Sequence, residues 1–436
     1  MKLLTFKGGV HPPEKKELSK DSPLENFKIP EKVYLYLVQS AGAPPKLLVE
    51  KGQEVKTGQK IAETSSIISS NLHSPITGVV EDITKMFHPI LGAPSDLLII
   101  KRTDEKDEWD LLDSIDFEKA DSKNLVERIK EAGIVGLGGA AFPTHVKLSP
   151  PKEIDTLIIN GAECEPYLTV DHRLMLERTE DLITGIRIIM KILKVKRAII
   201  GVETNKRDAI DTLNRFAGNG IEIAPLKTKY PQGAEKQLIK AILNREVPSG
   251  GLPMDVKVVV QNVGTAIAIK EAVVDGKPLI ERGLTITGEG VKTPKNIVAR
   301  IGTPIEELIE FAGGYNGTVE KVILGGPMMG IAVPNTSIPT MKGTSGIVVL
   351  TREVTGSLYT RNCIRCGRCI EACPMNLRPN VLYKLVKMKR YDDAVNEGLL
   401  DCIECGSCAY ICPSKIDHVR HLKLGKKVYR ALRRGK

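Results

Sequence analysis

The sequence predicts a multidomain α/β protein, and three observations lead to that prediction. The chain has 436 residues, which is too long for one hydrophobic core and indicates about two to four domains. Helix and strand patterns alternate from 122 to 275, as in a parallel sheet covered by helices on both faces. Eight of the nine cysteines lie in two short groups between 357 and 415, which indicates metal sites rather than disulfides.

The first hundred residues divide into a lead-in and a β-rich unit. Residues 1–30 are rich in Pro, Lys and Gly, and we expect an extended segment with little core of its own. Residues 31–101 begin with the strand-like KVYLYLVQ (32–39) and continue as short apolar steps separated by glycines. This rhythm resembles lipoyl-type barrel-sandwich domains, which carry a cofactor on a hairpin lysine. Because residues 64–78 contain no lysine, we expect the fold without the attached group.

Residues 120–278 are predicted to form a Rossmann-like parallel α/β domain. Buried-type apolar runs predict strands at 154–160, 196–203, 221–226 and 256–262. Amphipathic patterns between them predict helices at 122–133, 171–193, 205–218, 234–243 and 265–274.

The next unit, residues 279–345, is predicted to be a small α+β domain. Strand-like sequences flank a helix predicted at 305–314. The unit resembles the soluble-ligand-binding β-grasp (SLBB) domain, and a plain spacer domain is the alternative. Residues 355–415 hold the cysteine module, and residues 416–436 form a basic tail.

The cysteine module follows the pattern of a two-cluster ferredoxin. Each run has three cysteines separated by two residues and a fourth followed by proline, and the fourth cysteine of each run serves the other cluster. The cluster-one set is Cys363, Cys366, Cys369 and Cys412. The cluster-two set is Cys402, Cys405, Cys408 and Cys373. We expect two [4Fe–4S] clusters for one-electron transfer. Two structural zinc sites are the alternative, although zinc ribbons need neither the third cysteine nor the Cys-Pro step.

A glycine-rich run, GLGGAAFPT at 136–144, is the second chemical signal. It follows a helix, so it is not a dinucleotide fingerprint, but its backbone N–H groups suit a phosphate or a flat ring. Polar residues also gather beyond three predicted strands, at 160–166, 229–235 and 261–262. The carboxyl ends of parallel strands are where such sheets bind ligands, which favours a nucleotide site. Helix capping is the alternative role for Asn160 and Asn262.

These motifs resemble a known family. GLGGAAFPTHVKL, NGAECEP, YPQGAEKQL and QNVGT occur in the order found in the flavin domain of the NADH-oxidising subunit of respiratory complex I. With FKGGVHPP and CIRCGRCIEACPMNL included, the chain is more similar to the RnfC family, whose members belong to Rnf ion-translocating complexes. That resemblance covers essentially the whole chain. It implies FMN and NAD(H) as cofactors beside the two clusters.

The resemblance also implies which residues contact the flavin. The residues that would line FMN or lie near its phosphate are Gly136, Gly138, Gly139 and Lys147. Asn160 and Glu163 would lie by the isoalloxazine and the hydride site, with Glu163 as the catalytic residue. Asn262 would hold the flavin phosphate or ribityl chain.

A second group of residues is implied for NADH. The nicotinamide side would be bordered by Tyr230, Gly233 and Glu235. Phe142 would stack on the adenine, and Glu165 would bind the ribose. The chain departs from the complex I pattern at three positions, where Arg, Asp and Glu are replaced by Leu137, Ala162 and Ala234.

By this resemblance the chain is expected to be an electron-transfer subunit of a membrane-bound Rnf-type complex. It would oxidise NADH, or reduce NAD+, at FMN and pass single electrons through two [4Fe–4S] clusters. Membrane subunits and a ferredoxin-like subunit would couple NADH/ferredoxin exchange to Na+ or H+ transport. Two alternatives stay open: a soluble cobalamin-reductase-like flavin/iron–sulfur reductase, and an electron-transfer scaffold subunit with a vestigial flavin site.

The composition of the chain indicates where in the cell it works and which classes of partner it binds. No run of about 18 apolar residues is present and the N-terminus lacks a signal-type apolar core, so we expect a peripheral protein on the cytoplasmic face of the membrane. Aromatic residues make up 4% of the chain, which is thin for stacking on single-stranded nucleic acid. The net charge is +10, and nine Lys or Arg follow Ser414 against one acid. Such a tail could be a solvated helix, a nucleic-acid arm, or a contact with a membrane or an acidic partner. Because no nucleic-acid-binding motif accompanies it, we favour the membrane or acidic partner.

Overall fold

A computed structural model describes residues 3–103, 106–356 and 359–434. The N-terminal segment has no core of its own, as expected, but it is built into other parts of the molecule. Strand β1 (Leu24–Asn26) forms an edge of the sheet of the 279–345 unit. The side chains of Phe6, Val10 and Phe27 are buried.

The β-rich unit consists of two small sheets. One sheet has the order β2-β8-β7-β4, and its strands are β2 (Lys32–Tyr36), β4 (Glu54–Val55), β7 (Gly78–His88) and β8 (Ala93–Arg102). The other has the order β3-β5-β6, with strands β3 (Lys46–Leu47), β5 (Lys60–Glu63) and β6 (Leu72–His73). All of their pairings are antiparallel. Alternating apolar residues such as Val33 and Leu35 turn into a core shared with the next unit.

The second unit is a four-stranded parallel sheet in the order β11-β10-β9-β12. Its strands are β9 (Thr156–Gly161), β10 (Ala198–Glu203), β11 (Ile221–Leu226) and β12 (Val258–Asn262). Its helices are α1 (Ser122–Glu131), α2 (Thr144–Lys147), α3 (Val170–Glu177), α4 (Thr179–Leu193), α5 (Arg207–Asn214), α6 (Glu235–Leu243) and α7 (Val263–Val274). Strand β10 is buried along its whole length, because helices cover both faces of the sheet.

One predicted helix of this unit is wrong in its extent. The segment predicted as a single helix over 171–193 forms two helices, α3 and α4, which meet at Arg178. Thr179 Oγ1 donates to the carbonyl of Met175 at 2.6 Å, and Arg178 leaves helical geometry with φ −124°. The apolar periodicity continues through the break, so the pattern did not reveal it.

The third unit is a six-stranded mixed sheet in the order β1-β14-β13-β17-β15-β16. Its own strands are β13 (Glu281–Thr287), β14 (Lys295–Arg300), β15 (Val319–Leu324), β16 (Ile331–Ala332) and β17 (Gly346–Thr351). Helix α8 (Ile305–Phe311) packs on it through Ile305, Leu308 and Ile309.

The C-terminal unit is built from short helices. They are α9 (Arg352–Thr355), α10 (Arg368–Glu371), α11 (Pro379–Lys387), α12 (Tyr391–Asn396), α13 (Ser407–Tyr410) and α14 (His418–Arg434). The segment between the two cysteine runs forms α11 and α12. Leu382, Val386 and Leu422 pack α14 onto α11 in a small core of their own. In the described part of the chain, no helix is long and apolar enough to cross a membrane.

Candidate flavin and iron–sulfur sites

The glycine loop lies against the carboxyl end of β12. A Cβ atom added to Gly138 would come within 2.8 Å of the Asn262 amide, so only glycine fits there. The Leu137 N–H donates to Thr265 Oγ1 at 2.9 Å, and the Gly136 N–H donates to the Phe142 carbonyl at 2.9 Å. These bonds close the loop and fix it to the start of α7.

Backbone from Gly138 to Ala140 is exposed, and a Cβ added to Gly139 would meet open space. A flat ring or a phosphate can therefore approach this backbone closely, which is the fit that a flavin requires. The loop is held from behind by Arg282 of β13. The fully buried guanidinium donates to the Leu137 carbonyl at 3.3 Å and to the Lys342 carbonyl at 2.6 Å.

Asn160 and Asn262 lie side by side, because they end adjacent parallel strands in register. Asn262 Oδ1 accepts from the Gly264 N–H at 2.8 Å, so this residue caps α7. Its amide nitrogen donates to Asp171 at 2.7 Å. Asn160 does not cap a helix; its amide nitrogen donates to the Gly233 carbonyl at 2.8 Å. Both amides thus connect the loops that follow the strands of the parallel sheet. We call the space between the glycine loop, Asn160, Asn262 and Gly233 the strand-end site.

Asp171 belongs to this site, although the sequence analysis did not single it out. Burial, followed by the nearby Glu163 carboxylate, raises the pKa of Asp171 to about 7. Its bond to Asn262 places it beside the glycine loop. The sequence offered one signal for it, namely that it opens the helix predicted from 171.

The Glu163 carboxylate lies at the N-terminus of α3, at the level of Asp171. It accepts the Asp171 N–H at 2.6 Å and the His172 N–H at 3.4 Å, and a carboxylate is favourable at this end of a helix. The Lys16 ammonium lies 3.9 Å away. Backbone φ at Glu163 is +45°, a conformation that non-glycine residues adopt rarely. The carboxylate is therefore held rigidly, and its catalytic role stays a prediction.

Lys147 and Glu235 face each other across the mouth of the site, with Nζ and Oε1 2.6 Å apart. Both side chains are partly exposed, so an anionic ligand can compete for the lysine. Phe142 is half-buried on the same loop. Gly233 lies at the opposite wall, where its N–H donates to Cys164 Sγ at 3.2 Å. Burial raises the pKa of the Cys164 thiol, which fits a structural role.

Two residues predicted to contact NADH have protein partners in the structure. The Glu165 carboxylate, on a partly exposed residue, accepts the N–H groups of Met328 and Met329 at 3.0 and 2.9 Å. It thereby ties the parallel-sheet unit to the loop between β15 and β16. The buried Tyr230 hydroxyl donates to the Cys405 carbonyl at 2.6 Å, so this side chain points to the cluster-two set. Their contacts with NADH remain predictions.

The cysteines come together in the two predicted sets. The cluster-two set lines a cavity with an empty volume of about 360 Å³. The cluster-one set lines a second cavity of about 340 Å³. Among the residues that the structure describes, no three His, Cys, Asp or Glu side chains are grouped to hold a single metal ion. Four thiols around one cavity are the ligand set of a [4Fe–4S] cluster.

The same local geometry repeats in both runs. Gly367 and Gly406 have φ of +79° and +84°, and each begins the short helix that carries the third cysteine of its run. The residue two positions earlier, Arg365 or Glu404, also has positive φ. This turn wraps three sulfur atoms around one cavity. Burial raises the pKa of Cys402 to about 11, so binding of a cluster must release its proton.

The cluster-two set is packed against the rest of the molecule. Gln237 of α6 donates to the Pro374 carbonyl at 3.2 Å, next to Cys373. The Gly9 N–H donates to the Ala372 carbonyl at 2.9 Å, and a Cβ on Gly8 would lie 2.8 Å from the Cys373 carbonyl. The FKGGVHPP motif therefore packs between the loop that contains Tyr230 and the Cys373 end of the first cysteine run.

Four domain families match successive parts of the chain. The RnfC barrel sandwich hybrid domain matches residues 4–105, and the Nuo51 FMN-binding domain matches residues 129–271. The SLBB domain matches residues 284–332, and the 4Fe-4S dicluster domain matches residues 357–413. These matches confirm the predicted fold class and the expected cofactors, FMN and [4Fe–4S] clusters.

Full-length relatives decide the family. The chain is 49% identical to the RnfC protein of the proton-translocating ferredoxin:NAD(+) oxidoreductase complex of Clostridium ljungdahlii, covering 97% of this chain and 94% of that one. It is 44% identical to the RnfC protein of the Na(+)-translocating ferredoxin:NAD(+) oxidoreductase complex of Acetobacterium woodii, covering 99% and 98%.

The chain belongs to the RnfC family. A more distant relative, the RnfC protein of the ion-translocating oxidoreductase complex of Rhodobacter capsulatus, is 39% identical over 92% of this chain and 78% of its own length. Among solved structures, a chain of the NAD+-reducing [NiFe]-hydrogenase matches with a TM-score of 0.52 and 18% identity, covering 71% of this chain and 62% of that one. The hydrogenase therefore shares the fold.

Proposed function

We propose that this chain is the NADH-oxidising subunit of an Rnf-type complex, working at FMN and handing on single electrons through two [4Fe–4S] clusters. When bound, FMN exchanges a hydride with the nicotinamide and single electrons with the clusters. We also propose that partner subunits couple this electron transfer to ion transport. The names of two relatives support this coupling, because they give ferredoxin and NAD+ as reactants and protons or sodium as the transported ions. We place the chain peripherally on the cytoplasmic face, bound to membrane subunits and a ferredoxin-like subunit.

The observation that carries this proposal is the turn from Lys229 to Glu235. At Gly233 it touches the strand-end site through Asn160, and three residues earlier Tyr230 touches the cluster-two set through Cys405. One short, hydrogen-bonded turn therefore separates the two redox sites. Electrons leaving the strand-end site would reach cluster two first and cluster one second.

The side chains around the flavin bind and orient it. Hydride transfer between nicotinamide and flavin needs no protein acid or base, because the cofactor supplies the chemistry. Gly138 and Gly139 give backbone access, and the partly exposed Lys147 is available to the flavin phosphate. Glu163, fixed by two backbone N–H groups, would hold one carboxylate at the hydride site. Buried Leu137, in the glycine loop, and buried Ala162, beyond β9, would help to exclude water from the site.

An anaerobic titration tests this function. The chain is reconstituted with FMN, iron and sulfide, and its absorption spectrum is followed as NADH is added. We expect bound flavin and bleaching of both the flavin band and the iron–sulfur bands. Cluster bands without flavin, and no response to NADH, would support an electron-transfer scaffold with a vestigial flavin site. A soluble reductase would be indicated if the chain failed to co-purify with membrane subunits.

A further inference from the structure

Cluster one differs from cluster two in its access to solvent. Each set has one partly exposed cysteine, Cys363 or Cys402, and two buried ones. The remaining cysteine makes the difference, because Cys366 of the cluster-one set is exposed whereas Cys373 of the cluster-two set is buried. A redox centre with an exposed ligand is placed for electron exchange with another molecule.

Basic side chains surround this exposed ligand. Arg361, Arg365 and Arg368 alternate with the cysteines of the first run, and all three are exposed. Lys415 and Arg420, which follow Cys412, are exposed as well. The two stretches lie side by side, since the Arg361 N–H donates to the Ser414 carbonyl at 2.9 Å and the Thr360 hydroxyl to the Lys415 carbonyl at 3.2 Å.

Within the described part of the chain, Arg361, Arg365 and Arg368 form no ion pair with a carboxylate, whereas other arginines of the C-terminal unit do. Arg378 pairs with Glu397, and Arg433 pairs with Asp392 at 2.8 Å. Two acids lie in the same stretches. Glu371 is exposed, while Asp417 accepts the Arg420 N–H at 3.1 Å at the start of α14. The local charge is therefore strongly positive.

Apolar side chains stand out among the arginines. Tyr359 is 83% exposed, Ile364 is 67% exposed and Ile370 is 38% exposed. Exposed apolar residues ringed by charge are typical of an interaction surface, and small, charged interfaces are typical of transient redox partners. We call residues 359–371 and 413–420, together with the exposed Cys366, the cluster-one face.

A different role for the cations would be to balance the negative charge of the cluster and its thiolates. Cluster two shows how such balance is built. There Lys426 is buried and donates to the Cys402 carbonyl, and its ammonium lies 2.8 Å from Glu404. The arginines at cluster one instead extend into solvent, where water already screens the cluster.

We propose that the cluster-one face docks a small iron–sulfur protein or domain whose own redox centre is surrounded by acidic residues. Charge complementarity argues for this occupant, because exposed arginines beside an exposed cluster ligand attract an acidic partner and bring the two centres together. One electron passes from reduced cluster one to the oxidised partner cluster, or in reverse, with no bond or proton transferred. The inference rests on the proposed function, in which electrons leave the chain at this face.

The test measures electron transfer to a defined acceptor. The reconstituted chain is reduced with dithionite, so that the experiment does not depend on NADH oxidation, and is mixed by stopped flow with an oxidised, acidic two-cluster ferredoxin. The variant R365E/R368E is compared with K427E/R430E, an equal charge change about 14 to 18 Å along α14 from His418 at the cavity.

We expect R365E/R368E to lower the second-order rate at low salt by about tenfold or more, and the difference to shrink at high salt. K427E/R430E should remain within about twofold of the unchanged chain. Electron paramagnetic resonance should show both clusters intact in both variants.

Three results would overturn the proposal. Equal losses in both variants would assign the effect to overall charge or to the tail. An unchanged rate combined with a shifted cluster-one potential would assign the arginines to charge balance. Binding to anionic phospholipid vesicles that is lost in R365E/R368E, with ferredoxin transfer retained, would assign the face to a membrane surface. Failure of NADH to bleach the wild-type chain would count against the proposed function alone.

Discussion

The two cluster sites share one local geometry but have opposite surroundings. Both use the same positive-φ turn and the same cysteine spacing. Cluster two is enclosed by the lead-in segment, the Tyr230 loop and the Met328 loop, whereas cluster one borders solvent with exposed arginines. The comparison teaches that the ligand motif fixes which cofactor is bound, and that contacts outside the motif fix where its electrons can go.

The largest expected effect comes from removing one ligand of each cluster. In Cys405→Ser, cluster two is lost, and we expect NADH to bleach the flavin without reducing cluster one. In Cys366→Ser, cluster one is lost, but NADH should still reduce cluster two. Electron paramagnetic resonance after NADH addition distinguishes the two. If cluster one were still reduced rapidly in Cys405→Ser, the proposed order of the clusters would be wrong.

Next in size is the loss of flavin from the glycine loop. In Gly138→Ala the new Cβ would lie 2.8 Å from the Asn262 amide, so the loop must move. We expect a loss of FMN affinity of about tenfold or more, or about 1.4 kcal/mol. Fluorescence titration with FMN measures the affinity. An unchanged affinity in Gly138→Ala would show that flavin binding does not depend on the close packing of this loop on Asn262.

The pH dependence of stability tests whether the Glu165 carboxyl, near the cluster-two set, is shielded from water. Burial raises its pKa to about 7 from an ordinary value of 4.5, so the folded chain holds this proton where the unfolded chain has lost it. The contribution of this proton to the free energy of unfolding is complete below about pH 4.5 and is lost as the pH rises to about 7. The free energy of unfolding should fall by at most about 3 kcal/mol over this range. In Glu165→Gln this part of the pH dependence should vanish.

Urea titrations of both proteins between about pH 5 and pH 8 measure this difference. Parallel pH profiles for the two proteins would contradict the assignment of the titration to Glu165. Asp171, whose pKa burial also raises, contributes equally to both profiles and cancels in the comparison.

The last test concerns a single hydrogen bond, that of the Tyr230 hydroxyl. Tyr230→Phe removes the donor to the Cys405 carbonyl and leaves a buried acceptor unpaired, which should lower the free energy of unfolding by about 1–3 kcal/mol. We also expect slower reduction of cluster two after the flavin has bleached. Tyr410→Phe, at an exposed position on α13, is the control and should change neither quantity. Unchanged cluster reduction in Tyr230→Phe would remove this contact from the electron path.

The sequence alone predicted much of the local structure, although it missed the break between α3 and α4. The C-x-x-C-x-x-C spacing predicted the three sulfur ligands that each run contributes, because a tight turn requires only neighbouring residues. The exchanged fourth cysteine came from the two-cluster ferredoxin pattern. The order of strands and helices in 120–278 followed from periodicity, since a buried parallel strand reads as a continuous apolar run. The glycine loop was located for a similar reason, although the need for glycine at 138 became clear only once Asn262 was placed against it.

The tertiary structure decided what depends on residues distant in the chain. Lys16 leaves the lead-in segment and is buried against the carbonyls of Glu163 and Leu168, a contact with no local signature. Glu165 and Tyr230, predicted at the NADH site, form protein contacts toward the Met328 loop and cluster two. The sequence predicted the cluster ligands because the cysteine spacing within each run is a local pattern. Only packing between units placed the cluster-two set against Tyr230 and left Cys366 of the cluster-one set exposed.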